Sequence, residues 1–424
     1  MYIVDLIDKK RNNLKLSKEE IKYIIDSYVS GEIKDEQMSS LLMAICINGL
    51  DSEETFFLTD SMLKSGKTID LTSIPGIKVD KHSTGGVGDK TTLVVAPIVA
   101  SLGIPVAKMS GRGLGYTGGT IDKLESIPGF NVNVGINDFI DQVRNSNICI
   151  STTSSDLAPA DKKIYALRDV TGTVSSKSLI AASIMSKKLA TGADKILLDV
   201  KYGEGALIKD VNDAIDLAKL MVYIGNSQGK ETRALISNMS YPLGTMVGNA
   251  LEIKEVIDVL NNKGNKDLRD LCVVLATYMV SMSKNIDYIS AQGEVVKALR
   301  TGIAYNKFLE LVNMQGGDLS KLTVSSNIFE VKSTKTGYIN AINALKIAEC
   351  SLKLGSGRMT KEEVIDMSVG IELKKSVGDY VNIGETIAVV YIGNKNINYN
   401  EINSAFTIEE TKKEKEPIIY GIIK

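Results

Sequence analysis

The sequence predicts an α/β protein: a small all-helical domain, a large α/β domain with a central mixed sheet, and a C-terminal α+β domain with a β-rich, barrel-like hairpin region. Three observations predict it. Apolar residues recur at helical spacing through the first stretch of the chain. Short apolar runs then alternate with glycine-rich loops and helical stretches. Near the end the pattern changes to strands separated by tight turns. The expected division is 1–66 for the helical domain, joined by helices from about 160–190, then 67–326 and 327–424.

In the first unit, Ser17 and Glu20 make a capping box, and Ile21, Ile24, Ile25 and Tyr28 follow at spacings of three and four. An amphipathic helix therefore begins near Lys18 and stops near Gly31. Asp35 is the expected cap of a second helix through Met38, Leu41 and Leu42. Asp51 with Glu54 opens a third, which carries Phe56, Phe57 and Met62.

From Ile74 onward, apolar runs at 77–79, 104–109, 148–150, 196–200 and 234–236 read as strands of a largely buried sheet. Between two of them, residues 160–189 are largely helical and are expected to pack back onto the N-terminal helices. Ser183 and Lys187 lie four apart there, neighbours on one helix face. Beyond 326, strand patterns at 328–331 and 386–391 are punctuated by expected turns at Gly337, Gly378-Asp379 and Gly384-Glu385. The segment Val377-Gly378-Asp379-Tyr380-Val381-Asn382-Ile383-Gly384-Glu385 is similar to the hairpin of biotinyl and lipoyl domains, but it lacks a modifiable Met-Lys-Met. The mixed-charge run 409–416 reads as a solvated turn.

Composition excludes several classes of function. The net charge is −1 over 424 residues, so no overall field draws the chain to nucleic acid or anionic lipid. Aromatic residues make up 5% with no Trp, too few for the stacking platforms that bind single strands. Cys46, Cys149, Cys272 and Cys350 are dispersed in apolar stretches without CxxC spacing, and are expected to be reduced core residues. The acidic N-terminal segment does not read as a secretory signal, no apolar run reaches membrane-spanning length, and the expected location is the cytoplasm.

Two glycine-rich segments carry the chemistry. One is Lys81-His82-Ser83-Thr84-Gly85-Gly86-Val87-Gly88-Asp89-Lys90, with the only histidine. The other is Ser110-Gly111-Arg112-Gly113-Leu114-Gly115-Tyr116-Thr117-Gly118-Gly119-Thr120. Glycine lets the backbone approach a ligand closely, and converging N–H groups with Ser, Thr and Lys donors suit an oxyanion such as phosphate. Both follow predicted strands, where doubly wound sheets bind ligands. A triphosphate-binding loop needs Gly directly before Lys, and Asp89 intervenes before Lys90. Gly113, Gly115 and Gly118 satisfy G-x-G-x-x-G, but the acid at the right distance, Asp138, sits in Asn137-Asp138, which reads as a helix cap rather than a strand end.

Taken together, the two segments resemble the thymidine and pyrimidine-nucleoside phosphorylase family. The resemblance extends to Thr120-Ile121-Asp122-Lys123-Leu124-Glu125, Ala158-Pro159-Ala160-Asp161-Lys162-Lys163-Ile164-Tyr165-Ala166-Leu167-Arg168-Asp169-Val170-Thr171-Gly172-Thr173-Val174, Ser183-Ile184-Met185-Ser186-Lys187-Lys188, Leu198-Asp199-Val200-Lys201, Pro242-Leu243-Gly244 with Gly248-Asn249-Ala250-Leu251-Glu252, and Gly355-Ser356-Gly357-Arg358. It implies reversible phosphorolysis, in which phosphate attacks C1′ of uridine, deoxyuridine or thymidine and the free base leaves. It places Lys81, His82, Ser83, Thr92, Lys108, Met109, Ser110 and Thr120 around phosphate. Tyr165, Arg168, Ser183 and Lys187 would lie at the pyrimidine. His82, Arg168 and Lys187 would be catalytic, His82 as general acid.

Thymidine-restricted members carry an apolar residue where Lys108 stands, so the resemblance implies tolerance of ribose. It also implies a homodimer through the helical unit, a cleft that closes on substrate, no organic cofactor, and a potassium ion at Gly88, Lys90, Leu243, Met246 and Glu255. Two residues depart from the family pattern: Tyr116 replaces a usual His, and Lys90 replaces a usual Thr. A lysine ammonium there can stand in for the cation by pairing with Glu255. The alternatives are a thymidine-restricted phosphorylase, an anthranilate-phosphoribosyltransferase-like enzyme using pyrophosphate and magnesium, and a nucleoside- or phosphate-binding protein without turnover.

Overall fold

The computed structural model describes all of the chain except residues 114, 115, 117, 154, 155, 359–362 and 396. Four helices open it: α1 (Ile3–Arg11), α2 (Lys18–Ser30), α3 (Asp35–Asn48) and α4 (Ser52–Lys64). Helix α2 starts at the expected box: Glu20 N–H donates to Ser17 Oγ (3.3 Å), and Ser17 N–H donates to Glu20 Oε2 (2.6 Å). It ends at Gly31, whose φ of 84° lies in the left-handed region that glycine enters without strain. The Asp51–Glu54 box likewise starts α4. Asp35 is not a cap but the first residue of α3. Lys34 is the cap, its N–H held by Gln37 Oε1 at 3.0 Å.

The α/β region follows as β1 (Val79–Ser83), α5 (Thr91–Ser101), β2 (Val106–Ser110), α6 (Thr120–Glu125), α7 (Ile136–Ser146), β3 (Ile148–Thr152), α8 (Pro159–Thr171), α9 (Lys177–Ala190), β4 (Lys195–Tyr202), α10 (Val211–Ser227), β5 (Glu231–Asn238), β6 (Met246–Val247), α11 (Asn249–Leu260), α12 (Lys266–Lys284), α13 (Tyr288–Arg300) and α14 (Ile303–Met314). Helices α8 and α9 return to the N-terminal helices. Ile164, Leu179 and Ala182 share one apolar cluster with Ile21, Ile24, Ile25, Met38, Leu41 and Met62. Each such buried aliphatic side chain contributes about 1.5–3 kcal/mol of burial.

Strands β1, β4 and β5 pair in parallel, and the parallel pair β2–β3 lies alongside β1. Lys108 Nζ crosses from β2 to donate to the Lys81 carbonyl oxygen at 2.5 Å. The direction of succession thus reverses at β1, the crevice where ligands bind in such folds. The first strand begins later than its apolar run suggested. It spans Val79–Ser83, so Lys81, His82 and Ser83 are strand residues rather than loop residues.

The rest comprises β7 (Ile328–Lys332), β8 (Gly337–Ile342), α15 (Ala344–Ser351), β9 (Gly370–Leu373), β10 (Tyr380–Val381), β11 (Thr386–Tyr391), β12 (Phe406–Glu409) and β13 (Ile419–Ile423). Among the described residues these form antiparallel sheets ordered β10-β8-β12 and β6-β9-β11-β7, and no closed barrel. Gly337 is not a turn. It opens β8 and pairs with Val381. Strand β13 leaves these sheets and joins β5 antiparallel, Ile423 beside Ala234, which makes the central sheet mixed. The expected cap at Asn137-Asp138 is corrected too: Gly135 caps α7, and Asp138 lies in its first turn. The four cysteines are unpaired, three of them buried and Cys46 half-buried.

One ion pair is sealed inside the helical unit. Lys10 Nζ lies 3.0 Å from Glu54 Oε1, both side chains are 3% exposed, and Leu16 N–H donates to the same carboxylate. Removing the acid strands a buried ammonium. Glu54→Ala is therefore expected to destabilise the protein by about 3–5 kcal/mol. Thermal denaturation checks this, and an unchanged midpoint would contradict it.

Candidate active site

Strand β1 alternates its side chains across the sheet, so Lys81 and Ser83 face one side while Asp80 and His82 face the other. On the first side, Lys81 Nζ donates to Thr91 Oγ1 at 2.5 Å and lies 3.4 Å from Asp199. Asp89 accepts from Ser83 Oγ at 2.5 Å and from Thr91 Oγ1 at 2.6 Å. Asp199 also pairs with Lys201 at 2.9 Å. Burial works against ionisation of Asp89, but Lys201 and Lys81 outweigh it and hold the carboxyl well below the usual range. The first glycine loop is thus pinned between β1, β4 and the start of α5.

On the second side, one carboxylate holds two lysines. Asp80 Oδ1 is 3.1 Å from Lys108 Nζ and Asp80 Oδ2 is 2.8 Å from Lys188 Nζ, all three groups buried. Burial pushes Lys108 down to about 7, with the neighbouring Lys188 and Lys81 adding to the fall and Asp80 opposing it. Burial likewise carries His82 well below its ordinary value, and Lys188, Lys108, Lys81 and Lys187 push the same way. A neutral imidazole ringed by ammonium groups results, an environment that favours an incoming anion.

The expected pyrimidine residues come from α8 and α9. Lys187 Nζ donates to Ser183 Oγ at 2.8 Å and to the Asp161 carboxylate, and it stands 6.0 Å from the centre of the Tyr165 ring. Burial lowers Lys187, against the pull of Asp161. Its side chain keeps 33% exposure, open to a ligand. Arg168 is placed otherwise. Its guanidinium donates to the carbonyl oxygens of Thr173 (3.2 Å), Leu179 (3.0 Å) and Val174 (2.7 Å), fastening the α8–α9 turn, and the residue is 1% exposed. In this conformation Arg168 is not presented to a base.

Consecutive residues of α9 join the two ends. Lys187 reaches toward Asp161 and Tyr165, while Lys188 reaches Asp80 and the Met109 carbonyl oxygen at 3.3 Å. Met109 contributes that carbonyl, and its side chain belongs to an apolar cluster. Ser110 ends β2, Thr92 is the second residue of α5 and Thr120 the first of α6, so these hydroxyl residues lie at strand ends and helix starts. Asp122 ties the second glycine segment together, accepting from Gly113 N–H (2.6 Å) and Gly119 N–H (2.8 Å). Within it, Leu114, Gly115 and Thr117 lie outside the described residues, so the G-x-G-x-x-G match is only partly described.

Of the five residues expected around potassium, Leu243, Met246 and Glu255 converge on a fourth, Lys90. Its Nζ lies 3.1 Å from the Leu243 carbonyl oxygen, 2.8 Å from that of Met246 and 2.5 Å from Glu255 Oε2. The ammonium uses the ligands a potassium ion would need, so this set does not fit the ion. It equally removes Lys90 from any role at a triphosphate. Asp80, Asp89, Thr91, Asp161, Lys188, Asp199 and Lys201 were missed as participants. The adjacent Lys187-Lys188 and the Asp199-Val200-Lys201 run were the available signals.

The glycosyl transferase family's helical bundle domain matches residues 4–66 and its a/b domain residues 76–305. The pyrimidine nucleoside phosphorylase C-terminal domain matches 338–409. The pyrimidine-nucleoside phosphorylase of Geobacillus stearothermophilus is 53% identical over 398 residues, 92% of either chain. The chain belongs to the pyrimidine-nucleoside phosphorylase family. Other relatives of that name include those of Staphylococcus epidermidis, 50% identical over the full length of both chains, and Bacillus subtilis, 50% identical over 404 residues and 94% of this chain. A solved anthranilate phosphoribosyltransferase from Thermus thermophilus shares the fold. It has a TM-score of 0.58 and 16% identity, covering 73% of this chain and 98% of that one. Membership of the phosphorylase family replaces the readings of the glycine segments as a triphosphate-binding loop or a G-x-G-x-x-G fingerprint.

The low Lys108 value has a measurable consequence. Sulfate stays a dianion from pH 6 to 8.5, whereas Lys108 loses its charge on passing about 7. Sulfate affinity is expected to fall roughly tenfold or more across that range, and Lys108→Met to flatten the dependence. Calorimetric titration measures both, and a pH-independent affinity in the unmodified protein would contradict the assignment.

Proposed function

We propose that this chain catalyses the reversible phosphorolysis of pyrimidine nucleosides, accepting uridine, deoxyuridine and thymidine. The observation that carries the reading is the set of lysines acting on His82, among which the consecutive Lys187 and Lys188 of α9 reach Asp161 and Asp80. The reaction needs a dianionic nucleophile held beneath C1′ and stabilisation of negative charge on the departing base. The chain's own residues supply both.

Phosphate is held by Lys81, Lys108 and the hydroxyls of Ser83, Thr92, Ser110 and Thr120, with His82 and the Met109 segment beside it. One phosphate oxygen forms a bond to C1′ as the bond from C1′ to the ring nitrogen breaks. The electron pair of the breaking bond goes to the base, where Lys187 and Ser183 donate to its edge and Tyr165 walls the pocket. Arg168 joins them on closure by releasing a turn carbonyl. The proton gained by the base balances the one lost by hydrogen phosphate. His82 relays it: neutral in the empty site, it becomes a proton donor once a phosphate dianion offsets the surrounding lysines.

No organic cofactor enters this scheme, and inorganic phosphate is the co-substrate. The cation expected from the family is supplied by Lys90. We assign the chain to the cytoplasm, in keeping with the lack, among the described residues, of any helix long and apolar enough to cross a membrane. A homodimer through the helical unit is supported by the exposed apolar side chains of Tyr2 and Val4 at α1 and of Met43 and Ile47 on α3.

The decisive assay incubates the protein with uridine or thymidine, with and without phosphate, and follows free base by its ultraviolet spectrum. Release of both bases only with phosphate is expected. Thymidine cleavage alone would contradict the breadth assigned to Lys108, and Lys108→Met is expected to suppress uridine cleavage selectively. His82→Asn is expected to lower turnover at least about tenfold, and near-normal turnover would reject the relay.

A further inference from the structure

Lys90 is 1% exposed, and its ammonium faces only oxygen atoms: the Leu243 and Met246 carbonyls and the Glu255 carboxylate. Glu252 lies 4.0 Å away, and it is 3.3 Å from Lys123, which in turn donates to the Gly118 carbonyl oxygen at 2.5 Å. Two lysines and two glutamates therefore make a closed, buried quartet with no net charge. Glu255 is further fixed by the Thr245 and Met246 N–H groups, at 2.7 and 3.1 Å.

The backbone is built for this contact. Gly88, at φ 72°, approaches so closely that an added Cβ would lie 2.6 Å from the Leu243 carbonyl oxygen. Gly244, at φ 81°, leaves its Cβ position 2.5 Å from Glu255 Oε2. Lys90 is also the residue that caps α5, directly before Thr91 and Thr92, and Thr91 receives the Lys81 hydrogen bond. The quartet thus clamps the first glycine loop to the 243–246 loop through Lys90, and the second glycine segment through Lys123.

We propose that Lys90 is a tethered cation: its ammonium takes the place of a dissociable monovalent ion in the oxygen cage, and it acts as a positioning residue for the phosphate loops. Removing the ammonium leaves one uncompensated negative charge in a buried cage of carbonyl and carboxylate oxygens. Such a charge demands a partner. A single positive charge restores neutrality and a double one overshoots it, so the vacated cage selects monovalent ions.

The test compares the unmodified protein, Lys90→Thr and Lys90→Ala in potassium chloride and in tetramethylammonium chloride at equal ionic strength, reading melting temperature and KM for phosphate. The unmodified protein is expected to give the same values in both salts. The variants are expected to melt lower in tetramethylammonium, to recover on the order of 5 °C saturably with potassium or ammonium, and to show a KM about tenfold raised that potassium restores. A saturable potassium response of the unmodified protein overturns the proposal. So does a pair of variants indifferent to potassium, or unable to fold even when it is present. The KM arm rests on the phosphorylase reading and the melting arm does not, so failure of one is distinguishable from failure of the other.

Discussion

Everything at the candidate site depends on how buried ammonium groups are held. An isolated ammonium cannot be buried without a large cost, and here Lys81, Lys90, Lys108, Lys188 and Lys201 are all buried. Each has a carboxylate: Asp199 serves Lys81 and Lys201, Asp80 serves Lys108 and Lys188, and Glu255 serves Lys90. The sharing matters. Asp199 and Asp89 together balance Lys81 and Lys201, whereas Asp80 alone faces both Lys108 and Lys188, so the excess positive charge lies beside Asp80. The fold supplies the frame, because β1, β2 and β4 bring these residues to one crevice and α9 adds Lys187 and Lys188 across it.

The same arrangement sets the state of His82. A histidine in water is half charged near neutral pH, whereas this half-buried one is pushed toward the neutral form by desolvation and by four lysines. In the proposed reaction the imidazole donates a proton only after an anion has arrived. Arg168 carries a related message. Its three bonds to carbonyls of the α8–α9 turn make it a brace in the structure described, so a role at the base requires movement. Helices α8 and α9 belong to the helical unit by packing.

Much of this was legible in the residues, for physical reasons that differ from place to place. The Ser17–Glu20 and Asp51–Glu54 boxes are local devices, so helix starts could be read directly. Asp35 and Asn137-Asp138 misled because short polar side chains suit the first turn as well as the cap. Strand β13 was invisible, since its short apolar run finds its partner, β5, far along the chain. Helix α1 was unread because its few apolar positions are interleaved with charge. At the site, the glycine segments announced an anion loop. The carboxylates that hold the lysines did not, because charged residues read as solvated until the fold buries them.

His82 is the only histidine, so its imidazole gives one unambiguous set of nuclear magnetic resonance signals in the whole chain. Its titration, recorded without and with saturating phosphate, tests the central claim that uncompensated lysine charge governs this crevice. The account predicts a midpoint well below the ordinary value in the empty protein, and a clear rise when phosphate is bound. A midpoint near 6.5 that phosphate leaves unmoved would contradict it.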